Sequence, residues 1–502
     1  MVRALEEQRL NLASYVDAVA FARSRAEDAL KRSTDKKLVE WQFLPTNLNW
    51  HRLRAKLITT DSEKAKEKPR RSSLTFSTPA KPEPPPSPLY HSTVTFGASA
   101  GHSKKVGAFK DGGLHHKLPG GQDDAAGLCR SLNASGGFDV ATADACAKAV
   151  SDDLGEEFEE EQRTSKRPDK AARDFKKKAL LAERVDVVLS QALSLAAAHV
   201  EGIIRCAADG SASHDTVLKR ALAPDGRLLM GIECLLSTHG DEQGMLEDLV
   251  VAAAWLDGVS FHFVGSLEDG SSWRVRRGRH GAIDVDRVVT GPLKDVLINA
   301  SAGGSLKNAR ITIDCAMFSQ GINEWQTVAN LSGDRTLQVD CNRRNYSNLA
   351  KHVDRLSNVA KALASSDEKA SVDAEIAGWK TLLKEISTAV SESSNAAGKH
   401  VHVLLKTSDL ARALSGGHTI CCKSGKDRTG VAVTLEETRA LAARFRVVDE
   451  VHVCKVLRRH GVRRRNLLRN TNQDKYAFNA VQVKSLPRCY RPPAGTFGGG
   501  VT

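Results

Sequence analysis

The sequence predicts an α/β fold built on a strand that ends in a tight loop and is followed directly by a helix. Residues 401–405 and 418–421 are short apolar, β-branched runs, which indicate strands of a buried sheet. Residues 431–446 hold many strong helix formers, so we expect a helix to begin between Arg428 and Gly430. The stretch Cys-Lys-Ser-Gly-Lys-Asp-Arg-Thr-Gly, residues 422–430, joins the second strand to this helix.

The remaining elements are expected to complete a small parallel or mixed sheet with large helical additions. Apolar periodicity and composition predict helices at 3–31, 170–200, 244–257 and 374–390, and strands at 261–264, 285–289 and 311–315. Met245 and Trp255 are expected in the core. The strand at 311–315 should lead to a helix carrying Asn323, Glu324 and Gln326, which either hydrogen-bond buried backbone near the loop or line a cleft.

Composition limits the classes of function. The 502 residues are 41% hydrophobic, and the longest apolar run, 189–200, is shorter than the roughly 18 residues of a membrane-spanning helix. The first seven residues already include two glutamates, and no apolar stretch follows them directly, so a secretory signal is not expected here. Ten scattered cysteines suit a reducing cytosol. We therefore expect a cytoplasmic protein, peripheral to membranes.

The net charge of +13 predicts an anionic partner. Basic clusters at residues 274–279 and 458–465 are interpreted either as contacts with an anionic membrane or as a solvated or salt-bridged face. Aromatic interleaving, zinc-finger spacing and an RNP pattern are all missing from the sequence, so a nucleic-acid partner is not expected. Protein partners are not indicated.

Cys422 and Arg428 are the central candidates for chemistry. A strand, tight loop and helix N-terminus direct successive backbone N–H groups at one point, where they bind an anion. A helix N-terminus with nearby cations brings a thiol pKa from about 8.5 to roughly 3.5–7.5, so we expect Cys422 to be a thiolate. Arg428 offers a planar fork for two phosphate oxygens. Gly425 permits the sharp turn.

Other residues of the loop are assigned supporting roles. Asp427 is the candidate general acid, with a helix cap or a lysine partner as the alternative role. Lys423 and Lys426 are expected to bind the additional phosphates of a multiply phosphorylated substrate. The other candidate substrate-binding residues are those whose backbone or hydroxyl groups face the same point: Ser424, Gly425, Thr429 and Gly430.

Alternative motifs fit the loop poorly. A Walker A loop would need glycine at Ile420 and Ser or Thr at Asp427. Cys421 is adjacent to Cys422 and cannot chelate zinc as a C-x-x-C pair does, so no metal or other cofactor is expected. Cys421 is also excluded as the nucleophile of this loop. The motif needs an arginine six positions after the cysteine, and the residue six positions after Cys421 is Asp427.

This loop resembles that of the inositol polyphosphate 4-phosphatases and, more distantly, of bacterial effector phosphoinositide phosphatases. The similarity extends to further segments in the family's order: 43–48, 94–118, 235–240, 244–249, 320–326, 475–479 and 490–498. The resemblance implies a cysteine-phosphatase-like α/β sheet. It also implies removal of the 4-phosphate from phosphatidylinositol 3,4-bisphosphate and related inositol phosphates, through a phosphocysteine on Cys422, with Arg428, Lys423 and Lys426 holding phosphate.

The sequence departs from the family in two respects. Animal members carry an N-terminal lipid-binding C2 domain, for which no pattern is found ahead of Phe43. Cys421 replaces the histidine that precedes the nucleophile in many cysteine phosphatases. A catalytically weak phosphoinositide-binding scaffold and a protein tyrosine or dual-specificity phosphatase remain open as alternative functions.

The predicted organisation has five parts. Residues 1–60 form an N-terminal helical segment that packs on the phosphatase unit, and residues 61–90 form a disordered linker rich in Pro, Lys and Ser. Residues 91–119 are a family-like segment, and residues 120–169 are a low-complexity insertion. Residues 170–502 form the catalytic domain.

Overall fold

The computed structural model describes ten parts of the chain: residues 45–56, 88–98, 113, 170–277, 283–332, 335–395, 397–445, 447, 449–461 and 463–498. The predicted helix at 3–31, most of the linker and the insertion at 120–169 lie outside these residues. The described part is a mixed α/β structure.

Its strands form one eight-stranded sheet in the order β1-β2-β8-β3-β7-β4-β6-β5. The strands are β1 (Thr46–Ala55), β2 (Leu89–Gly97), β3 (Leu228–Cys234), β4 (Ser260–Val264), β5 (Trp273–Arg277), β6 (Ile283–Val288), β7 (Arg310–Ser319) and β8 (Gly417–Cys422). The four central strands β2, β8, β3 and β7 are parallel, whereas β1 pairs with β2, and β4 with β7, in antiparallel orientation. The carboxyl ends of the four parallel strands therefore meet at one edge.

The helices cover both faces of the sheet. In chain order they are α1 (Lys170–Ala208), α2 (Ala212–Leu222), α3 (Asp241–Leu256), α4 (Gly291–Ala300), α5 (Glu324–Ser332), α6 (Thr336–Leu363), α7 (Lys369–Asn395), α8 (His402–Ser415), α9 (Asp427–Arg444), α10 (Glu450–His460), α11 (Arg463–Thr471) and α12 (Ala480–Ser485).

Two apolar cores lie on opposite sides of the sheet. Helices α1 to α4 supply the first core, which contains both Met245 and Trp255, as predicted. Helices α6 to α9 and the C-terminal segment supply the second. Residues 187–208 of α1 are long and apolar enough to span a membrane, but 94% of the most apolar stretch is buried inside the protein, as in a core helix.

Most predicted elements are confirmed, with small shifts in their ends. Strand β8 and helix α9 flank the predicted loop, and the helix begins at Asp427, one residue earlier than expected. The predicted long helix from residue 170 is α1, and the strand at 311–315 lies within β7 and leads to α5. The sheet is larger than predicted.

Two predictions are wrong. Residues 401–405 are not a strand: Val401 precedes α8, whose buried residues, Val403, Leu404, Thr407, Leu410, Ala411 and Leu414, recur at helical spacing. Residues 46–55, predicted within a helical segment, form β1 instead. Because β1 pairs with β2, and β2 with β8, the sheet that carries the candidate loop includes chain ahead of residue 170.

Candidate active site

The candidate site lies where the four parallel strands end. The backbone N–H of Ala98 donates to the Cys422 carbonyl (2.8 Å), and that of Leu235 donates to the Cys421 carbonyl (3.0 Å). On the far side, the Gln320 N–H donates to the Cys234 carbonyl (3.0 Å). Ligands of parallel α/β sheets bind at this edge, outside the carboxyl ends of the strands.

Gly425 lets the loop 423–426 lie directly on the end of β2. Its φ of +65° favours glycine, and a β-carbon there would lie 2.6 Å from the Gly97 nitrogen and 2.8 Å from the Phe96 carbonyl carbon. A β-carbon on Gly97 would likewise lie 2.6 Å from the Ser424 carbonyl carbon. Two glycines therefore allow the close approach of two backbones.

Three asparagines hold the loop backbone from outside. The Asn47 side-chain amide donates to the Ser424 carbonyl (2.7 Å), and that of Asn466 donates to the Gly425 carbonyl (3.2 Å). Asn470 links the other two, since its amide donates to the side-chain oxygens of Asn47 (3.0 Å) and Asn466 (3.2 Å). Side chains from β1 and α11 thus fix the turn of the loop.

Arg428 is buried and oriented by Glu242, the second residue of α3. Its Nη1 donates to the Leu235 carbonyl (2.8 Å) and to Glu242 Oε2 (2.9 Å), and its Nη2 donates to Glu242 Oε1. Burial alone would raise the pKa of the Glu242 carboxyl, but the charge and hydrogen bonds of Arg428 outweigh burial and hold this pKa below its usual range.

The Arg428 guanidinium remains charged. Burial opposes the charge, but Glu242 and then Cys422 raise the pKa of Arg428 further above its ordinary value. Cys422 and Arg428 stand at the two ends of the loop, with Cys422 closing β8 and Arg428 in the first turn of α9. An always-charged guanidinium can bind phosphate in a bidentate manner.

Glu242 is itself held by a network of buried polar groups. It accepts hydrogen bonds from the Ser237 N–H (2.9 Å) and hydroxyl (3.0 Å), and from the Asn323 amide (3.3 Å). Gln326, whose own N–H donates to Asn323, accepts from the Thr238 N–H (3.3 Å). Of the two roles open for Asn323 and Gln326, the structure supports hydrogen bonding to the buried groups around the loop.

Cys421 and Cys422 lie on opposite faces of β8, as adjacent strand residues do. Cys422 is buried within the core cluster on the α9 side, and Cys421 packs in the opposite core beside Cys234. Burial and the Cys234 hydrogen bond raise the pKa of the Cys421 thiol well above its ordinary value. Cys421 therefore faces the core opposite to that of Cys422, which is at the start of the loop.

Asp427 is buried at the first position of α9. Its Oδ1 accepts a hydrogen bond from the Ala477 N–H (2.7 Å), which ties the loop to the C-terminal segment. This contact differs from the helix cap and the lysine pair considered from the sequence. Thr429 is also buried, and its hydroxyl donates to the Lys426 carbonyl (3.2 Å). The Gly430 N–H donates to the same carbonyl (2.9 Å) and closes the first helical turn.

The two loop lysines occupy different environments. The Lys423 side chain is 41% exposed, and its Nζ lies 3.9 Å from Asp241. Lys426 is buried within the loop. Lys423 is therefore the loop lysine that can meet a charged group arriving from solvent.

Three arginines of the two basic clusters are paired or buried: Arg274, Arg276 and Arg458. Arg274 and Arg276 pair with Asp286 on the neighbouring strand β6. Arg458 is buried and donates to the carbonyls of Val431 (3.0 Å) and Arg491 (2.8 Å). The salt-bridged interpretation of the cluster at 274–279 is supported for Arg274 and Arg276, and Arg458 joins α10 to α9.

Sequence reasoning missed Glu242 and the asparagines. Glu242 stands between the family-like stretches 235–240 and 244–249, and Asn47 lies inside the stretch 43–48. An acidic residue at the start of a helix that follows a central strand is the only local signal for Glu242. The described residues contain no group of three His, Cys, Asp or Glu side chains suited to a metal ion.

Residues 169–490 match the model of the family described as the INPP4A C-terminal domain. The chain is 30% identical over 323 residues to type II inositol 3,4-bisphosphate 4-phosphatase of Rattus norvegicus, covering 64% of this chain and 32% of the relative. It is 31% identical to the Pongo abelii protein of that name over 64% of this chain and 33% of the relative. It is 30% identical to human inositol polyphosphate 4-phosphatase type II over 54% of this chain and 28% of the relative.

The chain thus spans about a third of the length of these relatives. The family match includes the whole of the loop, Glu242 and Asn466, and it covers well over half of the 502 residues. The chain belongs to the inositol polyphosphate 4-phosphatase family.

Proposed function

We propose that this chain is a phosphoinositide phosphatase. It removes the 4-phosphate of phosphatidylinositol 3,4-bisphosphate, and of related inositol polyphosphates, through a phosphocysteine on Cys422. The names of the relatives support this substrate class. The observation that carries the proposal is the buried Arg428, held by Glu242 in the loop that Cys422 begins, at the carboxyl edge of the sheet.

In the first step, the Cys422 thiolate attacks phosphorus, and the bond between phosphorus and the ring oxygen breaks. The ring oxygen leaves with the bonding pair and receives a proton from Asp427. The products are the free inositol hydroxyl and a phosphocysteine. A positioned carboxylic acid contributes about 10²–10⁴-fold to such a step.

In the second step, a water molecule attacks phosphorus and the sulfur leaves as a thiolate. Asp427, now a carboxylate, accepts the proton of that water. The enzyme returns to its starting state, and inorganic phosphate is released. The hydrogen bond from the Ala477 N–H holds Asp427 in place for both steps. Neither step of this route uses a metal ion.

Arg428 stabilises the charge on the transferring group. Its bonds to Glu242 and Leu235 use three of its five N–H donors, and Nε and the second Nη2 hydrogen make no hydrogen bond to a described residue. This pair forms a fork for two phosphate oxygens. Because Glu242 fixes the guanidinium in advance, little reorganisation is needed during the reaction.

The additional phosphate of the substrate is assigned to Lys423, the exposed loop lysine. A lipid substrate at an anionic membrane surface fits the chain's net charge of +13, and the proposed location is cytoplasmic and peripheral to membranes. The proposed fold of the loop region is that of the cysteine phosphatases, because strand β8, the loop and helix α9 follow one another directly.

Phosphate release from a panel of inositol lipids, soluble inositol phosphates and one phosphotyrosine peptide tests this function. We expect release from the 3,4-bisphosphate and loss of activity in Cys422→Ser. A preference for the phosphopeptide would indicate a protein phosphatase. Lipid binding without phosphate release, unchanged in Cys422→Ser, would indicate a binding scaffold. Full activity in Cys422→Ser would refute the mechanism.

A further inference from the structure

The outer face of helix α5 is apolar, although that face points to solvent. Trp325, Val328 and Leu331 recur at a spacing of three residues, so they share one side of the helix. Their exposed fractions are 49%, 40% and 86%. The buried residues of the same helix are Gln326 and Ala329. This helix is therefore reversed relative to an ordinary surface helix, with its large apolar side chains outside and an amide inside.

This apolar stripe, Trp325, Val328 and Leu331, begins at the rim of the candidate active site. The ring of Trp325 stacks on His239, with ring centres 5.3 Å apart and planes inclined by 12°. His239 belongs to the short loop between β3 and α3 whose Leu235 carbonyl binds Arg428. The residue before α5, Asn323, donates to Glu242. Trp325 of the stripe and Arg428 thus both contact the loop between β3 and α3.

The neighbouring surface combines another apolar side chain with cations. Gln482 of α12 donates to Glu324 at the start of α5 (2.8 Å), which places α12 beside the stripe. Val481 is 72% exposed, and Lys484, three residues further on, is exposed on the same side of α12. On the active-site side, Lys423 is exposed next to Asp241.

We propose that this surface docks on a phospholipid bilayer, with the stripe of α5 entering the interface. The inference rests on the proposed lipid substrate, because the ring of a membrane-anchored lipid reaches Cys422 only if the rim of the site lies at the bilayer surface. Tryptophan favours the membrane–water interface, aliphatic side chains enter it, and nearby lysines attract anionic headgroups. The stripe consists of three side chains, whereas each partner contributes about 20–30 residues to a standard protein interface.

Co-sedimentation with vesicles of phosphatidylcholine and phosphatidylserine, with and without phosphatidylinositol 3,4-bisphosphate, tests the proposal on the full chain. The variant is the double replacement Val328→Asn and Leu331→Asn, which leaves Trp325 and the residues around Arg428 unchanged. The background is Cys422→Ser, so that binding is read without turnover. We expect vesicle binding to weaken about tenfold, as expected for two partly inserted aliphatic side chains.

The matched control is Leu363→Asn. Leu363 is also half exposed, but it is the last residue of α6. Along this helix, Asn342 contacts Ser319 at the carboxyl end of β7, and His352 contacts Asp314 nearer the middle of that strand. The helix therefore ends at the edge of the sheet opposite the candidate site. The control should bind vesicles normally. Unchanged binding in the double variant, or an equal loss in the control, overturns the proposal, and the first of these outcomes would leave a protein partner as the ligand of the stripe.

Turnover separates this proposal from the proposed function. In the active background, the double variant should hydrolyse the soluble inositol bisphosphate headgroup at the native rate and the lipid in vesicles about tenfold more slowly. An equal loss on both substrates would place the defect in the site and overturn the docking surface. If the native chain releases no phosphate from either substrate, the proposed function fails, and vesicle binding still decides the docking surface.

Discussion

At the scale of single residues, replacing Glu242 by glutamine removes the negative charge that orients Arg428. Two hydrogen bonds weaken and the guanidinium is free to turn, so we expect kcat to fall by about 10²-fold or more. Stability should also fall, by about 3–5 kcal/mol, as for other broken buried pairs. Steady-state phosphate release and urea unfolding measure the two effects.

Glu436→Gln is the matched control for this loss of stability. Glu436 is also buried and paired with an arginine, Arg412, but it lies two helical turns beyond Arg428 on α9. We expect a similar loss of stability with kcat close to that of the native chain. Equal losses of kcat in the two variants would show that Glu242 is only structural.

A β-carbon at Gly425 should displace the loop. In Gly425→Ala the new carbon meets backbone atoms of Gly97 and Phe96, which cannot move without disturbing β2. We expect phosphate release to fall by about 10²-fold, since a displacement of about 1 Å has such effects on catalysis. Gly304→Ala is the control: its φ is also positive (61°), and open space surrounds it. Activity in the control should be unchanged.

The residues of the loop illustrate what a sequence can predict. Cys422 and Arg428 were identified from their spacing and from the glycine between them, because that chemistry is local to one loop. Glu242 and Asn47 were not identified, although they fix the arginine and the turn of the loop. Their partners are 186 and 377 residues away along the chain, and only the folded sheet brings them together.

At the scale of elements, Arg458 joins α10 to α9 and to the C-terminal segment. Its guanidinium donates to the carbonyls of Val431, Cys489 and Arg491 and to the Thr434 hydroxyl. In Arg458→Met these buried acceptors lose their donor, and we expect stability to fall by about 3 kcal/mol or more. Thermal or urea unfolding measures this loss. Arg459→Met, at the exposed neighbouring position, should unfold like the native chain.

Segment 401–405 shows why short apolar runs are ambiguous. Four apolar residues among five suit a strand or a helix equally well, and periodicity over a longer window decides between them. The buried positions of α8 continue to Leu414, and Gly416, in the left-handed conformation, ends the helix. The prediction of the strand that enters the candidate loop is confirmed, because a glycine-containing loop and a strong helix pattern follow it.

At the scale of the whole molecule, acid should unfold the protein through buried histidines. Burial lowers the pKa of His199 and of His214 from 6.5 to about 4. Between these values the unfolded chain binds more protons than the folded chain, so stability falls as the pH decreases from 6.5 towards 4. The unfolding free energy should fall by about 1.4 kcal/mol per pH unit for each of these histidines.

Urea midpoints between pH 6.5 and 4.5 test this dependence. Carboxylates with a lowered pKa, such as Glu242 and Asp314, begin to lose their contribution at the acid end of this window, and they do so equally in the native chain and in a histidine variant. In His214→Gln the slope of the unfolding free energy against pH should decrease by the contribution of one histidine, about 1.4 kcal/mol per pH unit. This decrease is expected whatever the variant does to the stability at a given pH. A slope that stays the same would contradict the assignment.

The assembly of the sheet was the least predictable part of the fold. Strands β1 and β2 lie ahead of a long gap in the described chain, and β8 comes more than 300 residues after β2, yet β8 pairs with β2. Hydrophobic periodicity indicates a strand but not its neighbours. The order β1-β2-β8-β3-β7 was therefore beyond sequence reasoning, although it is this order that brings Gly97, Cys422 and Leu235 to one edge.

The central claim is that the Cys422 sulfur accepts the phosphoryl group beside Arg428. Acid quenching during turnover of phosphatidylinositol 3,4-bisphosphate, followed by mass spectrometry of the peptide that contains residue 422, tests it most directly. We expect one phosphoryl group on Cys422 and none on Cys421, and no phosphorylated peptide from Cys422→Ser. Native turnover without phosphate on Cys422, or phosphate on another residue, would contradict the account.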